Sequence, residues 1–173
     1  LALVLVAVFG AVAMGGIQIK TPNWIAPIVM LAGAATAGYM FYVESGAVEA
    51  VCGMVGDCNA VQQSAYAYFA GVPIGLLGVM GYAALLLLWA LGRIVPNRNA
   101  DLLLLVGVLF GTAFSLYLTF LEPFVIGAVC AWCLTSALLM VLTLWTVVPL
   151  GWQALATPDT AGEPLSEPIM RQI

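Results

Sequence analysis

Long apolar runs, separated by short polar passages, take up most of this chain, with room for about five spans of a bilayer. A helix needs about 20 consecutive apolar residues to cross the hydrocarbon core. The runs here are continuous and do not alternate apolar with polar, which favours helices over the strands of a barrel. Of 173 residues, 64% are hydrophobic and 7% charged, where ordinary soluble domains carry about a quarter charged. The sequence therefore reads as an all-α integral membrane protein. Its formal charge of −4 offers no basic patch, which argues against nucleic acid as a partner.

Taken in order, the first run covers about residues 1–18 and ends at Lys20. A cleaved secretory signal leaves a polar start, so this run reads as a transmembrane helix, 1–19, and not as a signal remnant. The second run, about 24–43, carries Gly33, Ala34, Ala35 and Gly38 as a small-residue packing face. Tyr39, Phe41 and Tyr42 lie toward its end, where an aromatic belt is expected. Residues 44–65 form the longest polar connection, and 59–69 reads as a short amphipathic helix. The third run spans about 71–92, the fourth about 100–121, ending at Glu122-Pro123, and the fifth about 126–149. A polar, Pro-containing tail, 151–173, follows. Lys and Arg occur only at positions 20, 93, 98 and 171. Basic loops stay cytoplasmic, so five helices put 44–65 and 122–126 together on the outer, oxidising side, where disulfides persist.

The chain has no histidine. Histidine-ligated haem, histidine-bearing zinc or copper sites and histidine general bases are thereby excluded. Four cysteines remain, at 52, 58, 130 and 133, and they allow three pairings. A zinc site built from all four stays open on paper but is unusual beside a bilayer, so no metal is expected. Cys130 and Cys133 stand three apart near the start of the fifth run, on one helix face. The positive end of a helix dipole there stabilises a thiolate, the nucleophile of disulfide exchange. Two small buried thiols are the plainer alternative. Cys52 and Cys58 enclose a short loop with Gly53 and Gly56. That loop suits a labile disulfide or a purely structural one. Two pairs on one side strengthen the redox reading beyond either alone.

Other residues admit two uses. Trp132 either walls a flat aromatic acceptor or anchors the chain at the interface. Ser64 either bonds to its own backbone or donates to a ligand oxygen. Glu44, Glu49, Asp57 and Glu122 read as a solvated acidic rim, and Phe110, Phe114 and Tyr117 as core. Gly71, Gly75, Gly78 and Gly81 read as packing positions that also open a groove between helices.

From about Gly38 to Met140 the chain resembles the vitamin K epoxide reductase family, specifically its bacterial quinone-linked members. The ordered features are the loop cysteine pair, Ser64 six residues after Cys58, Tyr66, Gly71-Val72-Pro73, Gly78, Tyr82 and Cys130-Ala131-Trp132-Cys133. The combination is specific, where a lone Cys-x-x-Cys is not. The resemblance implies a four-helix bundle around a quinone, formed here by runs two to five within 24–150, with the first helix additional. It implies a catalytic route in which a partner passes electrons to Cys52/Cys58, Cys58 exchanges with Cys130, and Cys133 faces the quinone, ubiquinone or menaquinone. Ser64 and Trp132 join Cys133 as the expected quinone contacts. Many bacterial members carry a fused thioredoxin-like domain after the bundle. None follows the fifth run here, so the resemblance implies a separate periplasmic thioredoxin-fold partner. Ala137 stands where vitamin-K-reducing animal members carry a tyrosine, which weakens the case for epoxide reduction.

The sequence thus points to a membrane thiol:quinone oxidoreductase of the bacterial inner membrane, with cysteine loops periplasmic and C-terminus cytoplasmic. The second expectation is a non-catalytic subunit of a larger membrane complex with fixed disulfides. A small transporter is a third, disfavoured because ionisable residues within the spans are the usual mark of such a pathway.

Overall fold

The computed structural model describes residues 24–46, 48–52, 56–95 and 98–156. The expected helix at 1–19 and the tail from 157 onward lie outside the described residues. Within them, four helices are long and apolar enough to cross a membrane. These are α1 (Ile25–Gly46), α3 (Ile74–Ile94), α4 (Arg98–Leu121) and α5 (Ala131–Ala156), with a short α2 (Cys58–Gln62) in the loop after α1. The protein is an all-α integral membrane protein.

The four long helices form a ring in which α1 packs on α3 and α5, and α4 packs on α5 and α3. The seams α1/α3 and α4/α5 are the closest, and α3 and α4 meet least. Met30, Tyr82, Leu104, Val108, Leu144 and Val147 fill the axis. Leu and Val side chains on the outer faces, such as Leu87, Leu103 and Val106, stay exposed, as expected where the surrounding solvent is lipid. Hydroxyls inside the bundle are satisfied along their own helices. Thr36, Thr112, Thr119 and Thr143 each donate to the carbonyl four residues earlier, which removes the cost of an unpaired polar group in hydrocarbon.

Three boundaries differ from the sequence expectation, each because of local breakers. The expected helix over 59–69 ends at Gln62. Ser64 turns its hydroxyl back to the Val61 carbonyl at 2.7 Å, and a single 3₁₀ turn, Ala65–Ala67, follows. A small hairpin then pairs β1 (Tyr68–Phe69) with β2 (Val72–Pro73). Its two-residue turn needs positive φ at both positions, found at Ala70 (50°) and Gly71 (83°). Helix α3 therefore starts at Ile74, not 71. Helix α5 starts at Ala131, not near 126, because a wide π turn, Glu122–Ile126, and the left-handed Gly127 come first. Pro123 favours that turn, since its ring and missing N–H disrupt the regular α-helical hydrogen bonding there.

Candidate functional site

All four cysteines lie at one end of the bundle, in a single cluster with Met40, Val43, Ala50 and Val61. The loop that brings the first pair there is clamped. The Tyr39 hydroxyl accepts from Val51 N at 2.9 Å, and Trp132 Nε1 donates to Val51 O at 2.9 Å. Their rings pack at 4.5 Å between centroids. Asn59 Oδ1 accepts from Ala50 N at 2.7 Å, and Asp57 caps α2 by accepting from Ala60 N at 3.0 Å. Cys52 and Cys58 are joined as a disulfide. Cys52 is half-buried, whereas Cys58 is fully buried. Gly56, at φ +87°, lets the loop lie directly on the Val129 carbonyl, one residue before Cys130. A side chain there would separate the two cysteine pairs.

Cys130 and Cys133 are thiols. Cys130 sits one residue before α5, and its Sγ accepts the Cys133 N–H at 3.3 Å, the bond a serine or aspartate makes as a helix cap. The Cys133 thiol beside it is the main influence holding the Cys130 thiol below its ordinary range; burial opposes this, and the amides of Cys133 and Trp132 assist. The arrangement favours a Cys130 thiolate at a helix N-terminus. Glu122 reaches the same point from the π turn, with Oε2 accepting from Cys130 N at 2.9 Å.

Cys133 faces the other way, onto the wall of a cavity of about 740 Å³ between α3 and α4. Its lining is almost wholly apolar, drawn from one face of each helix, including Gly78, Gly81, Gly107 and Gly111. A Cβ added at Gly81 would meet nothing within 4 Å, whereas one at Gly78, Gly107 or Gly111 would crowd Ala37, Leu85 or Met140, so those three serve close packing beside the cavity. Among the polar groups on its wall, Gln62 lies beside Cys133. Gln62 Nε2 touches only sulfur, at 3.5 Å from Met40 Sδ and 3.9 Å from Cys133 Sγ. Gln62 Oε1 and Glu122 Oε1 are buried without a hydrogen-bond partner. Such a site suits an apolar molecule with a few polar groups at the edge nearest Cys133.

The structure brings Cys52, Cys58, Cys130 and Cys133 together. Of the three expected quinone contacts, only Cys133 lines the cavity. Ser64 spends its hydroxyl on Val61 O, and Trp132 spends its indole N–H on the loop. The acidic rim is corrected at two positions. Glu122 is 2% exposed, and half-buried Glu44 caps α3 by accepting from Gly75 N at 2.8 Å. Phe110, Phe114 and Tyr117, read as core, line the cavity. Gln62 carries no sequence signal beyond its polarity within the 44–65 connection. The one sequence signal for Glu122 is an acid next to Pro123 between two apolar runs.

Fold and site together define a helical membrane protein with a buried dithiol between a loop disulfide and a lipid-level cavity. A model of the vitamin K epoxide reductase family matches residues 24–148, and the chain belongs to that family. It is accordingly a membrane thiol oxidoreductase working through cysteines. No curated protein and no solved structure matches the chain.

Proposed function

We propose that the protein oxidises the dithiol of a thioredoxin-fold partner and passes the electrons to a quinone, so driving disulfide formation on the outer side of a bacterial inner membrane. The observation that carries this reading is the double contact of the inner pair: Cys130 is buried with Cys58, while Cys133 lines the cavity. Both arginines of the described bundle, Arg93 and Arg98, lie at the ends of α3 and α4 remote from the cysteines, which supports a cytoplasmic assignment for that end.

The residues divide the work. Cys52, the less buried of its pair, meets the partner thiolate, and Cys58 is released. Cys58 attacks Cys130 of a Cys130–Cys133 disulfide, freeing Cys133. Once the oxidised partner has left, Cys52 attacks the Cys58–Cys130 bond. This restores the Cys52–Cys58 disulfide and leaves Cys130 and Cys133 as thiols, the arrangement seen here. The cavity fits a quinone by volume and by apolar lining. A bound quinone supplies a two-electron, two-proton acceptor. Gln62 would hold it by its amide, whose oxygen and nitrogen can exchange places by a side-chain flip, and Phe110 and Phe114, which line the cavity, would contact it.

The test is quinone reduction by purified protein in detergent, supplied with a reduced thioredoxin-fold donor. Turnover in the parent, and its loss in Cys133→Ala and Cys58→Ala, is the expected result. A folded parent that gives no turnover, with the loop disulfide unaffected by the donor, would overturn the reading in favour of a fixed-disulfide subunit.

A further inference from the structure

Glu122 is the one carboxyl placed among the reacting sulfurs. It is nearly wholly buried, its Oε2 holds the Cys130 amide at 2.9 Å, and it lines the same cavity as Cys133. Its Oε1 has no hydrogen-bond partner. Capping one amide needs only a neutral acceptor, whereas a carboxyl is costly to bury. A purely structural carboxyl would have both oxygens occupied. The wide turn at Pro123 directs this one inward instead.

We propose that Glu122 is the proton-transfer residue of the dithiol site, taking the proton of Cys133 as the Cys130–Cys133 bond closes and delivering it into the cavity. The step rests on the quinone reading above. Two electrons leave the sulfurs for the quinone as the Sγ–Sγ bond forms. One proton passes from Cys133 through Glu122. The other, released from Cys130 to solvent at the outer face, is balanced by one taken up from solvent. Cys130 and Cys133 are the titratable groups on the α5 side of Glu122. Glu44 of α1, Tyr66, Tyr82 of α3 and Tyr117 of α4 are the others that line the same cavity, and α4 carries no charged residue after Asp101.

The test uses full-length Glu122→Gln, which keeps an oxygen for the Cys130 amide but cannot take a proton. Quinone reduction is expected to lose about 100-fold in kcat, within the range for a general base, with the donor KM within about twofold. Glu122→Asp keeps a carboxylate one methylene further back and recovers part of the loss. A second readout needs no quinone: the pH profile of Cys133 alkylation in a Cys130→Ala background with the loop disulfide intact. Replacing the neighbouring carboxylate by E122Q is expected to change that profile. Parent-like kcat in a folded E122Q protein, or an unchanged alkylation profile, overturns the proposal. If E122Q does not fold, the pH profile of kcat in E122D decides, since a profile identical to the parent's counts against the role. A parent that fails to reduce quinone while E122Q still shifts the alkylation profile refutes the quinone reading and leaves the carboxyl–thiol contact standing.

Discussion

Gly56→Ala tests how closely the two cysteine pairs must approach. At φ +87° an alanine pays about 1–2 kcal/mol for the left-handed backbone alone. Its Cβ would also fall on the Val129 carbonyl oxygen, with the carbonyl carbon at 3.0 Å. Ordinary contact is regained only if loop and Val129 part by about 1 Å. A misplacement of that size costs about 100-fold in a positioned reaction, or about 2.7 kcal/mol of barrier. Gly71→Ala is the internal control, because Gly71 has φ +83° and nothing within 4 Å. It carries the backbone penalty without the collision. The assay starts from Cys133→Ala protein, in which Cys130 attacks Cys58 and the released Cys52 is trapped by alkylation. Labelling of Cys52 is expected to slow about 100-fold with Gly56→Ala and to stay within about threefold of the parent with Gly71→Ala. Equal rates in the two glycine variants would refute the reasoning, because contact at Val129 would then not govern exchange.

Three further outcomes follow from contacts elsewhere in the bundle. Cys130, held below the ordinary thiol range chiefly by Cys133, is ionised over a window in which an unfolded thiol is not. Folded stability of the reduced protein therefore rises as pH rises through the Cys130 value and is lost as pH falls back through it. Cys133→Ala is expected to move the midpoint upward, read by thiolate absorbance. Glu44→Ala removes the carboxylate that caps Gly75 N and is expected to cost about 1 kcal/mol. Glu44→Gln keeps an acceptor and most of that stability, and Gly75→Ala costs more because its Cβ collides with the Phe41 backbone; thermal unfolding in detergent ranks the three. Tyr82→Phe loses the hydrogen bond to Ser136 O, worth about 1 kcal/mol, while Gly33→Ala, whose Cβ meets the Tyr82 ring, is the more damaging of that pair.

The membrane made the helices legible. With no water in the hydrocarbon, a continuous apolar run has few structures open to it, so the four described spans follow from hydropathy, with ends a few residues out. The errors fall where polar and small residues give the backbone local choices. Ser64 has a hydroxyl that competes with the helix, and Ala70-Gly71 closes a hairpin that no periodicity announces in two-residue strands. The cysteines were legible as two pairs by spacing, but three pairings were open to arithmetic alone. Their approach depends on Gly56 lying on Val129, a contact between residues 73 positions apart.

Glu122 shows why composition misassigned the acids. A carboxylate at the end of an apolar run is ordinarily solvated, and Glu49 and Asp57 are exposed as that rule expects. Glu122 differs because Pro123 follows it and Gly127 lies four residues further on. The proline disrupts the α-helical hydrogen bonding, a wide turn stands in its place with Glu122 buried at its start, and left-handed Gly127 sends the chain back toward α5. Cys130 then arrives with an unpaired helix-terminal amide that a carboxylate oxygen can meet. The same two breakers thus end one span, begin the next, and carry an acid from the expected rim to the sulfurs. Replacing Pro123 by alanine would let α4 continue through Glu122 and turn its carboxyl away from Cys130, so the proton path and the register of α5 depend on one local feature.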